Sequence, residues 1–511
     1  MKLNKLFLMA AMGLGLFACS ENELEGNGPE GAQNEGTTYV GLKINFNSSS
    51  TRADGDQPID GDDDNTLYDD EGDGNESKVS DVRILVTDAD GKSQFNNVVE
   101  IKDGLYIFQI TPGIKKFYAV VNGNALGLSS ELTNWTGDKL PLTLTKKASD
   151  LYEYNATATE GKGFLMSSVA AVEQTIQDNV SENAVKAGTA NNVEITVERV
   201  VAKVTMQLSD ALKAPDGFMG QTATLKKLTC QIGNADNLKY NKEGEDDAAK
   251  YTTTGTYLMA DNDDNGVRKT PYYLYPATDY DFGGFEQSKL LNTDIKTLYE
   301  NNASSVNPAR FYCLENTHAN TDPKNYLQSN TTFIRVKAEM IPNSAKQFAY
   351  ADSKVTISDR QTMPNNLETF YVITAAPNQD DQGSYVFASD LASLYDNLVT
   401  DGSETETDKK AAAVVGALAK SYNYSFTEPY TNGCGYYNIW VNDMKDANNQ
   451  YLNIAPVFRN DWYNLTITSL TLPGSPKESI DPEEPIHPDT NVGVTLTIRD
   501  WNKVNHNVDL Q

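Results

Sequence analysis

Histidine and cysteine are scarce in this sequence. Of 511 residues, three are His and four are Cys. His318, His487 and His506 are too scattered to predict a Ser-His-Asp or Cys-His arrangement. The sequence also lacks GxGxxG, GxxxxGK[ST], HExxH and paired CxxC motifs. It therefore indicates no catalytic site, no metal site and no cofactor.

Basic residues are few relative to acidic ones. The chain has 42 Lys and Arg against 71 Asp and Glu, a formal net charge of −29. Such a charge repels nucleic acid and anionic lipid headgroups, so neither is expected as a partner. Among so many carboxylates, a pair suited to glycoside hydrolysis has no diagnostic value. The composition gives no support to an enzyme.

Long apolar runs are missing except near the N-terminus. Residues 6–17 form an apolar stretch too short to span a bilayer, and Lys2 and Lys5 precede it. This pattern is typical of a secretion signal, and a small residue before Cys19 is typical of a bacterial lipobox. We expect Cys19 to be lipidated and to become the mature N-terminus, so that membrane attachment runs through lipid alone. A plain signal peptide with a chance cysteine is the alternative.

The other cysteines are Cys230, Cys313 and Cys434. An odd number cannot all pair within one chain, so a disulfide framework is not expected. At least one thiol is expected to be buried and inert. Cys313 and His318 are close in sequence, but a closed zinc site needs four ligands. A core cysteine beside a surface histidine is the favoured interpretation.

An alternating apolar stretch stands close to the N-terminus, in residues 37–46. Its apolar residues recur at a period of two, which predicts a strand with one buried face. They are Val40, Leu42, Ile44 and Phe46. Residues 48–55 then form a small polar run with one basic residue, Arg52, which is typical of an exposed loop that a protease can enter. A cut after Arg52 would detach the strand from the body.

A second alternating stretch lies near the C-terminus, with Val492, Val494, Leu496 and Ile498 at a period of two. Residues 474–491 before it are rich in proline and acids, which predicts an extended spacer. We therefore expect the final strand region to sit at the end of an arm. One alternating stretch could replace the other in a neighbouring copy.

The rest of the chain reads as antiparallel β-structure in two domains, since single cores rarely exceed about 250 residues. Alternation ending at Leu208 predicts the close of the first domain, with a boundary near residues 210–220. Residues 390–398 and 409–420 are rich in Ala and Leu and predict short helical insertions.

Two acidic runs and many tyrosines leave alternatives open. Residues 53–77 and 261–266 resemble calcium loops in composition, but neither has complete ligand spacing, so a solvated loop and a hairpin turn are favoured. The 27 tyrosines suit sugar stacking or sandwich packing, and their alternation favours packing. A lipid-anchored surface glycan-binding protein is therefore the alternative to a structural subunit, and an extracellular hydrolase has only unassigned carboxylates behind it.

Several further segments are distinctive together with the lipobox and the Pro-rich spacer. They are Thr-Arg-Ala-Asp-Gly at Arg52, Glu198 to Lys203 (ERVVAK), Thr317-His318-Ala319, Asn330 to Lys337 (NTTFIRVK), and Phe458-Arg459-Asn460 with Tyr463-Asn464. In this order and spacing they resemble a known family, the fimbrillin-type major subunits of type V pili, in particular the Mfa-type major subunit of minor fimbriae. The resemblance spans the whole chain. The Asp-rich run after Ala53 and the helical insert around Ala411 depart from the family's pattern.

The resemblance implies an all-β fold of two tandem transthyretin-like β-sandwich domains with short helical insertions. It implies export as a lipoprotein, cleavage between Arg52 and Ala53 by an Arg-specific surface protease, and polymerisation by donor-strand exchange. The cut removes the groove-filling strand. The donor strand lies in residues 492–511, and its apolar residues are Val492, Val494, Leu496, Ile498, Val504, Val508 and Leu510.

The implied organisation is a signal peptide (1–19), a propeptide (20–52), two sandwich domains (53–215 and 216–474), a spacer (475–491) and the donor region. The implied partners are further copies of the chain, accessory anchor and tip subunits, the protease, and host or bacterial surface receptors. The implied location is a fimbrium at the cell surface, with the precursor attached to the outer membrane by lipid.

Overall fold

The structure is a computed structural model of the chain. It describes residues 37–45, 74–101, 104–134, 143–144, 146–157, 160–168, 171–214, 217–218, 220–236, 238–240, 251–253, 256–257, 291, 294–301, 308–316, 323–400, 402–446 and 448–501.

Up to Val200, the described residues form eleven strands and two short α-helices, which we call the N-terminal unit. The strands are β1 (Thr38–Asn45), β2 (Val82–Asp88), β3 (Ser93–Val99), β4 (Tyr106–Ile110), β5 (Gly113–Val121), β6 (Thr143–Leu144), β7 (Tyr152–Glu153), β8 (Gly163–Phe164), β9 (Met166–Ser168), β10 (Val172–Ile176) and β11 (Asn192–Arg199). The helices are α1 (Ser129–Thr133) and α2 (Glu182–Lys186).

The N-terminal unit is a sandwich of two sheet layers. Seven strands follow one another in the order β3-β2-β5-β9-β11-β1-β4, and β10 pairs with β5. β11 joins the layers, because its first residues pair with β1 and its last residues pair with β9. Apolar side chains from both layers, among them Ile84, Phe117 and Ile195, form one buried core. Period-two burial places one face of each strand in this core.

From Val201 onward, the described residues form what we call the C-terminal unit. Its strands are β12 (Val201–Leu208), β13 (Ala223–Gly233), β14 (Leu238–Tyr240), β15 (Tyr251–Thr253), β16 (Thr256–Tyr257), β17 (Lys296–Glu300), β18 (Ala309–Leu314), β19 (Phe333–Pro342), β20 (Lys346–Ala351), β21 (Lys354–Asp359), β22 (Phe370–Ala375), β23 (Tyr385–Phe387), β24 (Ser425–Phe426), β25 (Cys434–Trp440), β26 (Asp461–Leu470) and β27 (Val492–Asp500). Its helices are α3 (Asp210–Lys213), α4 (Ala388–Ala392), α5 (Tyr395–Leu398) and α6 (Thr407–Tyr422).

Two four-stranded sheets form the main body of the C-terminal unit. Their strand orders are β18-β12-β26-β27 and β17-β13-β19-β25. Side chains from both sheets, including Met206, Leu228, Val336 and Leu465, share one core. Two stacked sheets around a single core make this unit a second β-sandwich. The prediction of a mostly β fold is confirmed.

A smaller lobe lies between β19 and β25. It has a sheet in the order β21-β20-β23-β22-β24, and α4, α5 and α6 cover one of its faces. The helix α6 carries Asp408 in its first turn and Lys420 in its last, which suits the helix dipole. The predicted helical insertions are confirmed, although residues 390–398 fall in two short helices rather than one.

Strand pairing changes from the N-terminal to the C-terminal unit at Val200. β12, which follows it, pairs with β18 and β26 of the C-terminal unit. This change of pairing partner comes one strand before the predicted boundary near residues 210–220. The apolar alternation continues through β11 and β12, so the pattern does not mark the change of partner.

Residues 474–491 lie against the C-terminal unit. Arg335 donates to the carbonyl oxygen of Lys477 at 3.1 Å, and Trp440 Nε1 donates to the carbonyl oxygen of His487 at 2.7 Å. The expectation that this spacer holds the final strand on an arm is not met in this conformation. Proline-rich composition favours an extended backbone, and an extended backbone still offers carbonyl oxygens to donors on the body.

Candidate functional site

The predicted groove-filling strand occupies the centre of a sheet layer. β1 pairs in parallel with β11, from Gly41 opposite Asn192 to Asn45 opposite Thr196. On its other edge β1 pairs antiparallel with β4, from Thr38 opposite Ile110. β1 is therefore the strand that joins β4 to β11. Without it, the facing edges of β4 and β11 would lose their partner and become open for pairing.

The inward side chains of β1 belong to the core of the N-terminal unit. Val40 and Leu42 are 0% exposed and Ile44 is 7% exposed. Full burial of three such side chains contributes roughly 5 to 9 kcal/mol gross, at about 1.5 to 3 kcal/mol each. Phe46, the fourth predicted member, lies outside the described residues. The alternation that predicted one buried face is confirmed for the other three.

Helix α2 closes one side of the β1 site. Ser181 caps this helix, because its hydroxyl accepts a hydrogen bond from the amide of Ala184. Val185 of α2 then lies so close to Gly41 that a Cβ atom on Gly41 would be 2.4 Å from the Val185 Cγ1 atom. The glycine in this strand is thus explained by close approach of the helix, which the sequence pattern alone did not reveal.

Asn191 fixes the entry of β1. Its side-chain amide donates to the carbonyl oxygens of Tyr39 and Gln177, both at 2.9 Å, while its carbonyl oxygen accepts from the amide of Gln177 at 2.8 Å. The Thr38 hydroxyl accepts from the amide of Val180 at 3.0 Å. These bonds join the first residues of β1 to the loop after β10. They also place the strand in a defined register.

The residues predicted for processing are not among those that the structure describes. Cys19, Arg52 and Ala53 all lie outside the described residues, as does the acidic run up to residue 73. Their lipidation and cleavage stay predictions. In sequence, residues 46–73 connect β1 to the rest of the chain, so Arg52 lies within that link.

The predicted donor strand lies at a sheet edge. β27 pairs antiparallel with β26, with Leu496 opposite Leu465 and Val494 opposite Ile467. It is the last strand in its sheet. Val492, Val494 and Leu496 are half-buried against the core of the C-terminal unit. Ile498 pairs through its backbone with Tyr463. Val504, Val508 and Leu510 lie outside the described residues.

Two of the recognised sequence segments meet where the units join. In the ERVVAK segment, Arg199 ends β11 and Lys203 lies in β12, and both are buried. In the FRN segment, the side-chain oxygen of Asn460 accepts from the amide of Arg199 at 3.2 Å. Arg459 donates to the Glu315 carboxylate at 2.7 Å, and both side chains are 1% exposed. These segments build the junction of the two units.

The sequence analysis did not identify Glu76, an acid that contacts both Arg199 and Lys203. Glu76 is fully buried, and its carboxylate accepts hydrogen bonds from Lys203 and from Tyr312. Burial, with the Glu76 charge next in size, raises the pKa of the Tyr312 phenol far above its ordinary value. Burial also lowers the pKa of Arg199 to about 10. Glu76 belongs to an acidic run, so nothing in the sequence distinguished it.

Cysteine thiols and clusters of metal-ligating side chains are the other groups that could form a site in the described part of the chain. Cys230, Cys313 and Cys434 are free and buried, as predicted for at least one of them. Burial raises the pKa of all three thiols, which keeps them protonated. In the described ranges, no group of three or more His, Cys, Asp or Glu is placed to hold a metal ion. His318 lies outside them.

No helix of the described residues is long and apolar enough to cross a membrane.

Comparisons with known proteins agree with the recognised segments. Residues 428–507 match the family described as "Major fimbrial subunit protein type IV, Fimbrillin, C-terminal". The chain is 26% identical, over 516 residues, to the minor fimbrium subunit Mfa1 of Porphyromonas gingivalis, covering 94% of this chain and 90% of that protein.

Solved structures of similar proteins are more distant. A fimbrilin (FimA) from Porphyromonas gingivalis shares 15% identity, covers 92% of this chain and 99% of its own, and has a TM-score of 0.41. A putative cell adhesion protein from Parabacteroides distasonis shares 14% identity, covers 91% and 99%, and has a TM-score of 0.40. The family match over residues 428–507 and the nearly full-length similarity to Mfa1 both agree with the resemblance to fimbrillin-type fimbrial subunits.

Proposed function

We propose that the chain is the shaft subunit of an adhesive surface fimbria and polymerises by donor-strand exchange. The precursor is exported as a lipoprotein through Cys19, and an Arg-specific surface protease cuts between Arg52 and Ala53. Removal of β1 opens a groove between β4 and β11. The C-terminal strand of another copy fills that groove. Anchor and tip subunits end the fibre, and surface receptors are its targets.

The position of β1 carries this proposal. β1 lies between β4 and β11, with both edges paired and its inward side chains buried. It is an N-terminal segment joined to the body by one link that contains an arginine. Cutting the link leaves β1 held only by non-covalent contacts, so that a segment of similar pattern can replace it.

β27 supports the donor role through what it would gain. In its own subunit it pairs on one edge and half-buries Val492, Val494 and Leu496. In the groove, the same side chains would take the fully buried positions of Val40, Leu42 and Ile44. The donor would also pair with two strands instead of one. Since donor and acceptor surfaces differ, the contact is heterologous and extends into an open fibre.

Substitution at the link tests the proposal. Arg52→Ala should give an exported, lipidated and folded subunit that stays monomeric, because β1 continues to fill its groove. Arg52→Lys is the matched control: it keeps the positive charge but is not a substrate for an Arg-specific protease, so it should also stay monomeric. The measurements are N-terminal sequencing of surface material and electron microscopy for fibres.

A rescue separates cleavage from any other role of Arg52. Residues 49–52 are replaced by the recognition site of an unrelated protease, and that protease is then added to the purified monomer. Fibres that form only after its addition support the proposal. Fibres whose subunits still begin at Cys19 would contradict it, since β1 would then be retained in the assembled state.

A further inference from the structure

Trp501 directly follows β27 and is buried although β27 is not. Of residues 492–501 whose side chains the structure describes, Trp501 is the only buried one, at 3% exposure. Its indole stacks on the Tyr312 ring with centroids 5.7 Å apart. The guanidinium carbon of Arg199 lies 4.4 Å from the indole centroid, which suits a cation–π contact. The end of the C-terminal strand is thus held more firmly than the strand itself.

The Glu76 carboxylate accepts a hydrogen bond from the Trp501 indole and so fixes the position of that ring. One carboxylate oxygen, Oε2, accepts from Trp501 Nε1 at 2.9 Å and from Lys203 Nζ at 2.9 Å. The other, Oε1, accepts from the Tyr312 hydroxyl at 2.7 Å. A fully buried carboxylate is stable only when donors of this kind surround it. Because charge-assisted hydrogen bonds are stronger than neutral ones, the Trp501 indole is held by more than packing.

Arg199 connects the backbones of both terminal segments. Its Nε and Nη2 atoms donate to the carbonyl oxygen of Glu76 at 3.1 and 3.0 Å, and its Nη1 donates to the carbonyl oxygen of Trp501 at 3.4 Å. In sequence, Glu76 lies between the removable strand β1 and the body, and Trp501 lies just after β27. The buried Arg199 side chain therefore contacts both the segment that follows β1 and the segment that follows β27, the two strands that the proposed exchange would move.

We propose that Glu76, Arg199 and Trp501 form a latch that retains β27 in its own subunit until assembly. This inference rests on the proposed function, because retention of β27 has a purpose only if β27 is the donor. β27 is an edge strand in which Val492, Val494 and Leu496 are half-buried, so the buried Trp501 adds a second attachment beside its pairing with β26. Opening the latch would free the strand while leaving β1 and the core around it in place.

Hydrogen exchange on the uncleaved monomer tests the latch. Trp501→Phe keeps an aromatic ring but removes the donor to Glu76. We expect it to raise the exchange rates of amides in residues 492–500 about tenfold to a hundredfold, the effect of losing a hydrogen bond to a charged group. Residues 38–45 should keep the exchange rates of the unmodified protein. Trp501→Ala should give a larger effect in the same residues.

Trp440→Phe is the matched control. Trp440 is also 3% exposed and also donates its indole N–H to an oxygen, the backbone carbonyl of His487. Its substitution should affect residues near 487 and leave residues 492–500 unchanged. A double-mutant cycle of Trp501→Phe with Glu76→Gln should show effects that do not add, since both changes act on one hydrogen bond.

Two outcomes would overturn the latch. One is unchanged protection of residues 492–500 in Trp501→Phe. The other is an equal loss of protection in residues 38–45 and 492–500, which is what an ordinary core residue between the units would give. If Trp501→Ala does not fold, the Phe variant decides the question. Because the monomer is uncleaved, the result does not depend on whether fibres form, so failure of the latch and failure of strand exchange are distinguishable.

Discussion

β1 and β27 have similar sequences and very different surroundings. Both alternate apolar residues at a period of two, TYVGLKIN in β1 and VGVTLTIRD in β27. β1 pairs on both edges and buries Val40 and Leu42 completely, whereas β27 pairs on one edge and half-buries Val492, Val494 and Leu496. The comparison shows that topology, rather than the pattern of a strand, sets how firmly it is held. It also gives the proposed strand exchange a direction, from a sheet edge to a position that is paired on both sides.

The largest expected difference between the two strands is in their response to truncated side chains. Leu42→Ala should lower the free energy of unfolding by about 2 to 5 kcal/mol, since the cavity would lie in a closed core. Leu496→Ala should cost about 1 to 2 kcal/mol, because its side chain is only half-buried. Urea unfolding of both variants measures the difference. Lys43→Ala, on the exposed face of β1, is the control and should change the value by less than about 0.5 kcal/mol.

Equal losses in Leu42→Ala and Leu496→Ala would contradict the comparison. They would mean that β27 is held as firmly as β1, so that moving β27 into the groove would gain nothing from burial.

A smaller effect is expected from the close contact between β1 and α2. Gly41→Ala places a methyl group 2.4 Å from the Val185 Cγ1 atom and 2.9 Å from the Asn192 side-chain oxygen. Overpacking of this kind should lower the free energy of unfolding by about 1 to 3 kcal/mol. Gly416→Ala in α6 is the matched control, because nothing lies within 4 Å of its added Cβ. It should raise stability by about 0.5 to 1 kcal/mol. A neutral Gly41→Ala would show that α2 does not confine β1.

The smallest effect depends on pH and acts on the C-terminal unit alone. Burial raises the pKa of Asp443 from 3.8 to about 7, and Lys445 partly opposes the shift. The folded state therefore holds this proton more tightly, and the resulting stability is complete below about pH 4 and is lost as the pH rises through about 7. Asp443→Asn should remove this dependence, on the order of 1 kcal/mol between pH 5 and pH 8.

Hydrogen exchange at pH 5 and pH 8 shows in which unit the pH effect lies. Protection in β25 should fall with pH in the unmodified protein and stay constant in Asp443→Asn, while protection in β1 should not differ between the two proteins. The same pH dependence in both would exclude Asp443 as its source.

Much of the β-structure could be predicted because alternation is a local property. The period-two runs identified β1, β11, β12 and β27, and the runs rich in Ala and Leu identified α4, α5 and α6 but not the short helices α1 to α3. Which strand pairs with which depends on residues far apart in sequence, and no local pattern contains that information. The unit boundary shows this clearly, because the same alternation continues from β11 into β12 while the pairing partner changes.

The site was predictable in part for the same reason. Val40, Leu42 and Ile44 were identified by their alternation and are buried. Glu76 and Trp501 were not, because an acid in an acidic run and a tryptophan near a chain end look ordinary until the fold brings them within 2.9 Å. The recognised ERVVAK and FRN segments contained the missing information, since Arg199 and Asn460 contact that cluster directly.

The central claim is that the groove left by β1 is filled by the C-terminal strand of another copy. Electron cryo-microscopy of fibres assembled from cleaved subunits tests it most directly. The account predicts a strand between β4 and β11 whose chain continues into residues 474–491 of the neighbouring subunit. A groove filled by residues 38–45 of the same subunit, or β27 still paired with β26 of its own subunit in the fibre, would contradict it.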